Sequence, residues 1–257
     1  MILVLSGTED GKEIVRRLYD HGCGVITSVA TQYGKSIFER LNLGKICLQG
    51  RLDTNDFMHL IDERGIRLLI DATHPYATDV SINAIKACNE KGIKYIRYQR
   101  CETVLPESHL IHGVYNISDA VSKCMEVGKR VMLTTGFNNI KDFIGLNCDG
   151  GLVVRILPLA EHVRKSVEMG IHASNIAALQ GPFSYDLNKA LYDHFRIDTI
   201  VTKNSGKEGG VSEKVAAAID KGINVVLIKR PAINYPEVYS SVDEIFDKCM
   251  KLESALR

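Results

Sequence analysis

The heptapeptide Asp71-Ala72-Thr73-His74-Pro75-Tyr76-Ala77 follows a short apolar run at 66–70, and apolar residues recur at helical spacing after it. Such a run is typical of a buried parallel strand, so the seven residues form a loop between a strand and a helix. Pro75 fixes its own φ and keeps His74 out of the helical region, which stiffens the loop. In open α/β sheets ligands bind beyond the carboxyl ends of the strands, where this loop must lie. The alternative is a structural loop in which Asp71 caps the next helix and His74 makes one hydrogen bond.

The composition describes an ordinary globular protein of 257 residues, with 45% hydrophobic and 25% charged residues and a formal net charge of +1. So small a charge gives no field that would attract nucleic acid or a membrane surface. The first strand begins at Ile2, which leaves no room for a signal peptide, and no apolar run is long enough to span a bilayer. The seven cysteines show neither a Cys-x-x-Cys pair nor a metal-ligand spacing. We therefore expect a cytoplasmic protein that binds no structural metal, nucleic acid or membrane.

Strands and helices alternate at short intervals along most of the chain, over 2–97 and again over 117–252. Between the two series the pattern breaks at 102–113, which we interpret as a crossover of mixed polar residues. Short alternation of this kind predicts parallel sheets with helices on both faces. We therefore predict an α/β protein of two doubly wound Rossmann-like domains, 1–112 and 113–257, whose mainly parallel sheets face each other across a cleft.

The loop after the first strand, Ser6-Gly7-Thr8-Glu9-Asp10-Gly11, is a candidate phosphate loop. Glycines at the start of a helix let backbone N–H groups approach a pyrophosphate, helped by the helix dipole. The full Gly-x-Gly-x-x-Gly fingerprint is absent, because only Gly7 and Gly11 remain, with Thr8 between them. The two carboxylates of this stretch stand where a phosphate would bind, so they must point away from it. The alternative is that they only stabilise the N-terminus of the helix.

The end of the second strand normally decides between the two nicotinamide cofactors, because an acid there binds the ribose 2′-hydroxyl and repels a 2′-phosphate. This chain has the neutral Ser28 and Thr31 instead, and Lys35 and Arg51 stand near enough in sequence to pair with a phosphate. Neutral hydroxyls with nearby cations favour NADPH, and NADH is left open. The predicted cofactor-binding residues are Gly7, Thr8, Gly11, Ser28, Thr31, Lys35, Arg51, Thr73 and His74.

A second candidate anion loop lies at 202–210, after a short apolar strand in the second half of the chain. It combines three glycines and two hydroxyls with Lys203 and Lys207 ahead of a helix, which suits an anion. The pattern Gly-x-x-x-x-Gly-Lys-[Ser/Thr] is absent, so nucleotide hydrolysis is not expected. The loops 134–137 and 180–184 follow other strands of the same half, and we expect all three to converge on the cleft. The alternative for 202–210 is a surface turn.

The amino-acid sequences of these loops resemble those of the precorrin-6A reductases, including the cobalt-precorrin-6A reductases of the anaerobic cobalamin route. The resemblance includes the heptapeptide at 71–77 and extends along nearly the whole chain. No single matching tetrapeptide is specific for this family, but the occurrence of so many of them in the same order is specific. The other pieces are Ser28-Val29-Ala30-Thr31-Gln32-Tyr33-Gly34, Gly50-Arg51-Leu52-Asp53, Arg97-Tyr98-Gln99-Arg100, Leu133-Thr134-Thr135-Gly136, Arg155-Ile156-Leu157-Pro158, Gln180-Gly181-Pro182-Phe183-Ser184, Val201-Thr202-Lys203-Asn204-Ser205-Gly206, Gly209-Gly210 and Arg230-Pro231.

The resemblance implies a substrate and a reaction. The substrate would be a ring-contracted tetrapyrrole with many carboxylates, metal-free or containing cobalt. A hydride from the nicotinamide, plus a proton, would reduce one conjugated double bond and give precorrin-6B or its cobalt form, while the protein positions the reactants and excludes water. His74, Tyr76 and Tyr185 are proton-donor candidates on chemical grounds, with solvent as an alternative. The substrate-binding residues expected from the resemblance and the loops are Arg97, Thr135, Gly136, Arg155, Gln180, Ser184, Thr202, Lys203, Ser205, Gly206, Gly210 and Arg230.

Two other function classes fit the same architecture. A non-catalytic NAD(P)-binding sensor would use the fold for regulation, but it would not need a second set of polar, glycine-rich loops. A two-domain group transferase would share the fold and show no redox change. For the reductase, the expected partners are the precorrin substrate and, as an open expectation, transient contacts with other corrin-pathway enzymes.

Overall fold

A computed structural model of the chain describes residues 1–146, 151–206 and 209–254. The strands are β1 (Ile2–Leu5), β2 (Val25–Val29), β3 (Cys47–Gln49), β4 (Leu68–Asp71), β5 (Lys94–Tyr98), β6 (Ile111–Val114), β7 (Val131–Leu133), β8 (Leu152–Ile156), β9 (Ile176–Ala178), β10 (Thr199–Lys203), β11 (Asn224–Ile228) and β12 (Val238–Tyr239). The α-helices are α1 (Glu9–Asp20), α2 (Gln32–Arg40), α3 (Thr54–Arg64), α4 (Thr78–Lys91), α5 (Ile117–Val127), α6 (Ile140–Phe143), α7 (Ala160–Glu168), α8 (Tyr185–His194), α9 (Val211–Asp220) and α10 (Val242–Ser254).

The chain forms two compact units and passes between them twice. The first unit holds Met1–Cys101 and Pro231–Arg257, and the second unit holds Glu102–Arg230. This division differs from the expected domains 1–112 and 113–257 at both crossings. The reason is strand pairing, because β6 pairs with β11 in the second unit and β12 pairs with β5 in the first.

Within the described residues, the first unit contains a six-stranded parallel sheet in the order β12-β5-β4-β1-β2-β3. β1 and β4 are buried along their whole length, as apolar runs in central parallel strands should be. Alternate residues of β1 face two different apolar clusters, one built with α1 and α10 and the other with α3 and α4. Strand order reverses between β1 and β4, and ligands of open α/β sheets bind beyond the carboxyl ends of strands at such a point.

The second unit repeats this arrangement. Its described strands form a six-stranded parallel sheet in the order β6-β11-β10-β7-β8-β9. The strands β7 to β11 take the positions of β1 to β5 in the first sheet, whereas the remaining edge strand comes first in this series and last in the other. Val215 of α9 and Tyr192 of α8 pack over Ile200 and Val225 in the main apolar cluster of this unit. Strand order reverses between β7 and β10, so the carboxyl ends of these two strands mark the second expected ligand edge.

Polar side chains begin several of the helices that follow the strands. Thr8, Thr31 and Ser184 accept backbone N–H bonds at the N-caps of α1, α2 and α8. Asp53 and Asp56 form a capping box at the start of α3. These caps fix helix N-termini, which carry a partial positive charge, close to the carboxyl ends of the strands.

The observed α/β fold, with doubly wound parallel sheets, confirms the predicted fold class. The apolar patterns at 25–29, 152–156 and 224–228 predict strands and the pattern at 117–127 predicts a helix, and the structure forms these elements with the same bounds. The sequence pattern does not predict α2, β6 or β12. α2 buries only Phe38, which leaves a weak helical pattern, and β6 lies inside the segment that we expected to be a crossover. No helix in the part of the chain described here is long and apolar enough to cross a membrane.

Candidate functional site

Asp71, the last residue of β4, is the centre of a buried hydrogen-bond network. Its Oδ1 accepts from the Thr73 backbone N–H at 2.9 Å, from Thr73 Oγ1 at 2.6 Å and from Arg97 Nη1 at 2.7 Å. Its Oδ2 accepts from Ser81 Oγ at 2.5 Å and from the Tyr95 hydroxyl at 2.7 Å. The carboxylate therefore joins β4 and β5 to the following loop and the first turns of α4. It is not the N-cap of α4, because that position belongs to Ala77 and has no side-chain cap.

Arg97 and Tyr95 complete this network from β5. Arg97 also donates from Nη2 to the Thr73 carbonyl at 3.0 Å and from Nη1 to Thr73 Oγ1 at 3.1 Å, so it holds the backbone of the loop as well as the carboxylate. Burial and the Asp71 carboxylate raise the pKa of Tyr95, which keeps this phenol protonated as a donor. Because Arg97 has no exposed surface, this geometry does not support its predicted contact with a substrate carboxylate.

The network presents the loop 73–77 at the carboxyl end of β4. His74 is exposed and its Nδ1 accepts from the Tyr76 backbone N–H at 3.4 Å, while the two rings lie 5.6 Å apart. The loop borders the first candidate phosphate loop, because Ala72 N–H donates to the Leu5 carbonyl and Thr8 Oγ1 donates to the Ala72 carbonyl. The structure thus brings Thr8, Thr73 and His74 to one edge of the first sheet.

The two glycines of the first loop have different surroundings. A Cβ on Gly11 would lie 3.2 Å from Ser6 Oγ and 3.3 Å from Ala72 Cβ, so Gly11 allows α1 to pack closely on the strands. A Cβ on Gly7 would meet nothing within 4 Å. Gly7 therefore borders open space at the carboxyl end of β1, where a ligand could approach the backbone.

Glu9 and Asp10 are each paired with a cation. Glu9 is largely exposed and forms an ion pair with Lys12 one turn along the helix, and Asp10 forms an ion pair with Arg100 in a mostly buried position. Cation partners offset the negative charge that these side chains bring to the start of α1. The N-terminus of α1 can therefore still interact favourably with an anion.

The residues that we assigned to the ribose phosphate lie around the ends of β2 and β3. Ser28 is buried and its carbonyl accepts from the Ser6 N–H, whereas Thr31 is exposed and its Oγ1 accepts from the Gly34 N–H. Lys35 follows Thr31 by one turn of α2, and Arg51 is exposed just after β3. Hydroxyls and cations therefore share this edge, and the acid that would repel a 2′-phosphate is absent from the stretch 28–31.

In the second unit, the loop after β7 lies close to Lys203. Thr134 Oγ1 donates to the Val201 carbonyl at 2.8 Å, and Lys203 Nζ donates to Asn139 Oδ1 at 2.9 Å. Gly136 has a φ of +89°, which favours glycine, and Thr135 Oγ1 is buried without a hydrogen-bond partner among the described residues. Burial lowers the pKa of Lys203. The loop after β7 thus contacts β10 and the Lys203 side chain at the carboxyl ends of these two strands.

Arg155 of β8 lies under the loop 180–184. Its Nη1 donates to Asn188 Oδ1 at 2.8 Å, and its guanidinium carbon stands 4.6 Å from the centroid of the Phe183 ring. Asn188 Nδ2 in turn donates to the Ser184 carbonyl at 2.9 Å, which ties the loop to α8. Gln180 is exposed at the start of this loop.

The described residues of the stretch 202–210 pack against the same region. Thr202 is fully buried, Gly206 and Gly210 have positive φ values, and a Cβ on Gly210 would come within 3.3 Å of Pro182. Arg230 Nε donates to the Asn204 carbonyl at 2.9 Å and so connects the start of this loop to the residues that follow β11. Ser205 is half-buried in the loop, and Lys207, also predicted to favour an anion, lies outside the described residues.

Tyr185 has a different environment from the other proton-donor candidates. Its hydroxyl donates to Asp220 Oδ2 at 2.7 Å and accepts from Lys189 Nζ at 3.3 Å. Asp220 is the last residue of α9, so this hydroxyl lies at the opposite end of that helix from the loop 202–210. The structure therefore does not support Tyr185 as a proton donor at the carboxyl edge.

Known sequences identify the family of this fold and these loops. The sequence model of the precorrin-6x reductases CbiJ/CobK matches residues 1–250. The chain belongs to the precorrin-6x reductase family. A Salmonella typhimurium protein named cobalt-precorrin-6A reductase is 37% identical over 231 residues, covering 90% of this chain and 87% of that protein. A Priestia megaterium protein of the same name is 35% identical over 249 residues, covering 95% of this chain and 96% of that protein.

A solved structure supports the fold of this precorrin-6x reductase family member. The structure named CobK precorrin-6A reductase superposes with a TM-score of 0.78 and 22% sequence identity, and the match covers 97% of this chain and 96% of that one. At this identity the likeness shows the fold alone. The resemblance that we drew from the sequence motifs is thus confirmed at the level of the family.

Sequence reasoning missed several residues of the two edges. Tyr95 and Ser81 escaped because they look like ordinary strand and helix residues, yet both bind the Asp71 carboxylate. Lys214 escaped because it stands in α9, one turn after the loop 202–210, and its Nζ donates to Thr202 Oγ1 at 3.1 Å. A lysine among the apolar residues of α9 was the available signal. Over the described ranges there is also no group of three or more His, Cys, Asp or Glu side chains that could hold a metal ion.

Proposed function

We propose that this chain catalyses the NADPH-dependent reduction of one macrocycle double bond in precorrin-6A or cobalt-precorrin-6A, giving the corresponding 6B form. The observation that carries the proposal is the family match over residues 1–250. Polar, glycine-containing loops at the carboxyl ends of both sheets support it. When bound, the nicotinamide would supply the hydride, so the work left to the protein is binding, orientation and control of a proton.

The first unit supports binding of the cofactor. Gly7 borders open space at the end of β1, and the N-terminus of α1 stands beside it with Asp10 paired to Arg100. These features suit a pyrophosphate, because backbone N–H groups and a helix N-terminus favour an anion. Thr31 and Lys35 suit the 2′-phosphate of NADPH, and NADH would lack that group. These residues therefore fit a phosphorylated dinucleotide.

The second unit supports binding of the substrate. Its edge carries Lys203, Arg155 and the Thr135 hydroxyl, which is buried without a partner among the residues described, together with the glycine-containing loop 202–210. Arg and Lys donors bind carboxylates through charge-assisted hydrogen bonds. A tetrapyrrole with many carboxylates would use several such positions at once. We therefore retain the predicted substrate role for this edge and leave Arg97 outside it.

The loop 73–77 is the best supported source of the proton. His74 is exposed and Tyr76 lies beside it, both on a loop whose backbone is fixed by Asp71 and Arg97. A proton donor must be held at the reacting atom, and a fixed loop provides this. Solvent is the alternative source, and the two are separated by His74→Gln and Tyr76→Phe. If solvent supplies the proton, both variants keep the wild-type rate.

The proposed setting is the reducing cytoplasm. Burial raises the pKa of the Cys47 thiol to about 11 and that of Cys88 to about 12, so these thiols stay protonated and weakly reactive. The names of the two relatives described above favour the cobalt form of the substrate. Transient contacts with other enzymes that make or use the tetrapyrrole are part of the same proposal.

An anaerobic turnover assay tests the proposed function. NADPH is mixed with the purified full chain and with either precorrin-6A or cobalt-precorrin-6A, and the absorbance of the reduced nicotinamide is followed. The proposal requires a fall that depends on both the protein and the tetrapyrrole, faster with the cobalt form. Tight NADPH binding without oxidation would indicate a sensor. Conversion of the tetrapyrrole without any redox change would indicate a group transferase.

A further inference from the structure

Two cationic side chains are buried next to each other in the second unit. Arg155 is 8% exposed and lies in β8, and Lys214 is 6% exposed and lies in α9. The strand register places Arg155 level with Thr202, the hydrogen-bond partner of Lys214, with only β7 between them. The charge of Arg155 also helps to lower the pKa of Lys214. Two like charges at one buried position repel each other and lose their hydration, so such a pair normally has an anionic partner.

The described residues provide only neutral partners for this pair. Arg155 donates to Asn188 Oδ1 and covers the ring of Phe183, and Lys214 Nζ donates to Thr202 Oγ1. The other titratable group at this position is Tyr192 of α8, whose hydroxyl donates to the Lys214 carbonyl at 3.1 Å. Burial raises the pKa of Tyr192, so it brings no negative charge. Among the residues that the structure describes, the two cations thus have no carboxylate partner.

The pair lies where a ligand would be expected. Arg155 is the fourth residue of β8 and Thr202 the fourth residue of β10, so both are near the carboxyl ends of their strands. Lys214 stands in the first turns of α9, where the helix dipole also favours an anion. The close approach of Gly210 to Pro182 places the loop 180–184 against the start of the same helix. The carboxyl edge of a parallel sheet is the usual binding side of such a fold.

We infer that Arg155, Lys214 and Thr202 form a binding position for one anionic group of a ligand, a carboxylate or a phosphate. The planar guanidinium and the ammonium group would share the anion, and the Thr202 hydroxyl would donate once Lys214 turns to the ligand. The missing negative charge is then supplied by the ligand rather than by the protein. The ligand's identity rests on the proposed function, whereas the anion site itself does not.

Calorimetric binding to the full chain tests the site with three probes: NADPH, NADH and uroporphyrin, a porphyrin with acetate and propionate side chains. The key variant is Lys214→Met, which keeps the length of the side chain and removes its charge. The matched control is Lys221→Met, whose lysine is paired with Asp193 on the surface of the same unit. We expect Lys214→Met to bind one class of probe about tenfold to a hundredfold more weakly, as loss of a charge-assisted hydrogen bond predicts.

The probes separate the two sources of the anion. Weaker uroporphyrin binding with unchanged NADPH binding assigns a ligand carboxylate, and weaker NADPH binding with unchanged NADH binding assigns the 2′-phosphate. Weaker binding of NADPH and NADH together assigns the pyrophosphate. Wild-type affinity of Lys214→Met for all three probes, or an equal loss in Lys221→Met, overturns the site.

Proton uptake provides a second readout that a merely structural lysine would not affect. Burial, with the nearby Arg155, lowers the pKa of Lys214 to about 7, so at pH 8 the free protein holds it mostly neutral. Anion binding favours the charged form, and calorimetry in buffers of different ionisation heat should show uptake of up to one proton. The uptake is measured on the wild-type chain and so does not depend on the folding of the variant. If no proton is taken up on binding of any of the three probes, the anion site is refuted, even if turnover confirms the reductase. If protons are taken up but no turnover is seen, the anion site stands and the proposed function fails.

Discussion

Arg97 Nη1 donates to Asp71 Oδ1 over 2.7 Å, and neither side chain has any exposed surface. This buried ion pair connects two neighbouring strands, since Asp71 and Arg97 are aligned in the β4–β5 pairing. The same two residues bind the backbone of Thr73, so the conformation of the loop 73–77 depends on them. Loop geometry and stability are therefore coupled at this point of the first unit.

Removal of the Asp71 charge should be strongly destabilising. Asp71→Asn leaves Arg97 buried without its counter-ion, which costs about 3–5 kcal/mol of unfolding free energy. The control is Asp62→Asn, whose exposed pair with Lys91 should contribute less than about 1 kcal/mol. Urea denaturation at neutral pH measures both. Equal losses in the two variants would contradict a structural role for the buried pair.

The two glycines of the first loop should respond differently to substitution. Gly7→Val places its side chain in open space, so stability should be kept while the dissociation constant for NADPH rises about tenfold, or ~1.4 kcal/mol. Gly11→Ala brings a Cβ against Ser6 and Ala72 and should cost about 1–3 kcal/mol of stability. Thermal unfolding and cofactor titration separate these effects. Normal NADPH binding by Gly7→Val would make the first loop a structural turn.

Cofactor preference should change through Thr31 rather than Ser28. A carboxylate at the buried position of Ser28 would disturb folding, whereas Thr31 is an exposed N-cap, where Asp is also a good capping residue. Thr31→Asp should weaken NADPH by about fivefold, or ~1 kcal/mol, through repulsion of the 2′-phosphate, and leave NADH unchanged. Thr31→Asn is the neutral control. The prediction is refuted if both cofactors bind Thr31→Asp as they bind the wild type.

Lys203 should contribute to substrate binding and not to cofactor binding. Lys203→Met keeps most of the stem and removes the charge, so the Michaelis constant for the tetrapyrrole should rise about tenfold to a hundredfold while NADPH affinity stays normal. Lys141→Met, an exposed lysine of α6, is the control. If Lys203→Met loses NADPH affinity and keeps its Michaelis constant for the tetrapyrrole, the second unit binds the cofactor and the roles proposed for the two units are reversed.

Stability should depend on pH through Lys214. Its pKa is about 7 in the folded chain, below the ordinary value of 10.5, so the unfolded chain holds the extra proton between these two values. Stability from this group therefore rises with pH across that window, and the destabilising effect of Lys214 is largest below pH 7. The advantage of Lys214→Met over the wild type should shrink by at most about 2.7 kcal/mol from pH 7 to pH 9. Urea denaturation at both values checks this, and a constant difference would show a normal lysine.

The sequence by itself determined the parallel-strand pattern, most helix bounds and the loops at which polar side chains gather. These features are local. The burial pattern of β4 and the bounds of α5 depend on residues within a turn or a strand of each other. The order of the motifs also identified the family, because related proteins keep the same motifs in the same order along the chain. This comparison does not require their three-dimensional positions.

Only the tertiary structure decided which distant residues share a position. β6 and β12 are too short to show which sheet they join, and their pairing moves 102–112 and 231–257 between the units. Arg97 was predicted to bind a substrate carboxylate, but the structure pairs it with Asp71. Lys214 had no predicted role, and the packing of α9 brings it to Thr202 at the end of β10. The physical reason is that the effect of a charge depends on its burial and on its nearest charges. Both are set by packing between elements that lie far apart in the chain.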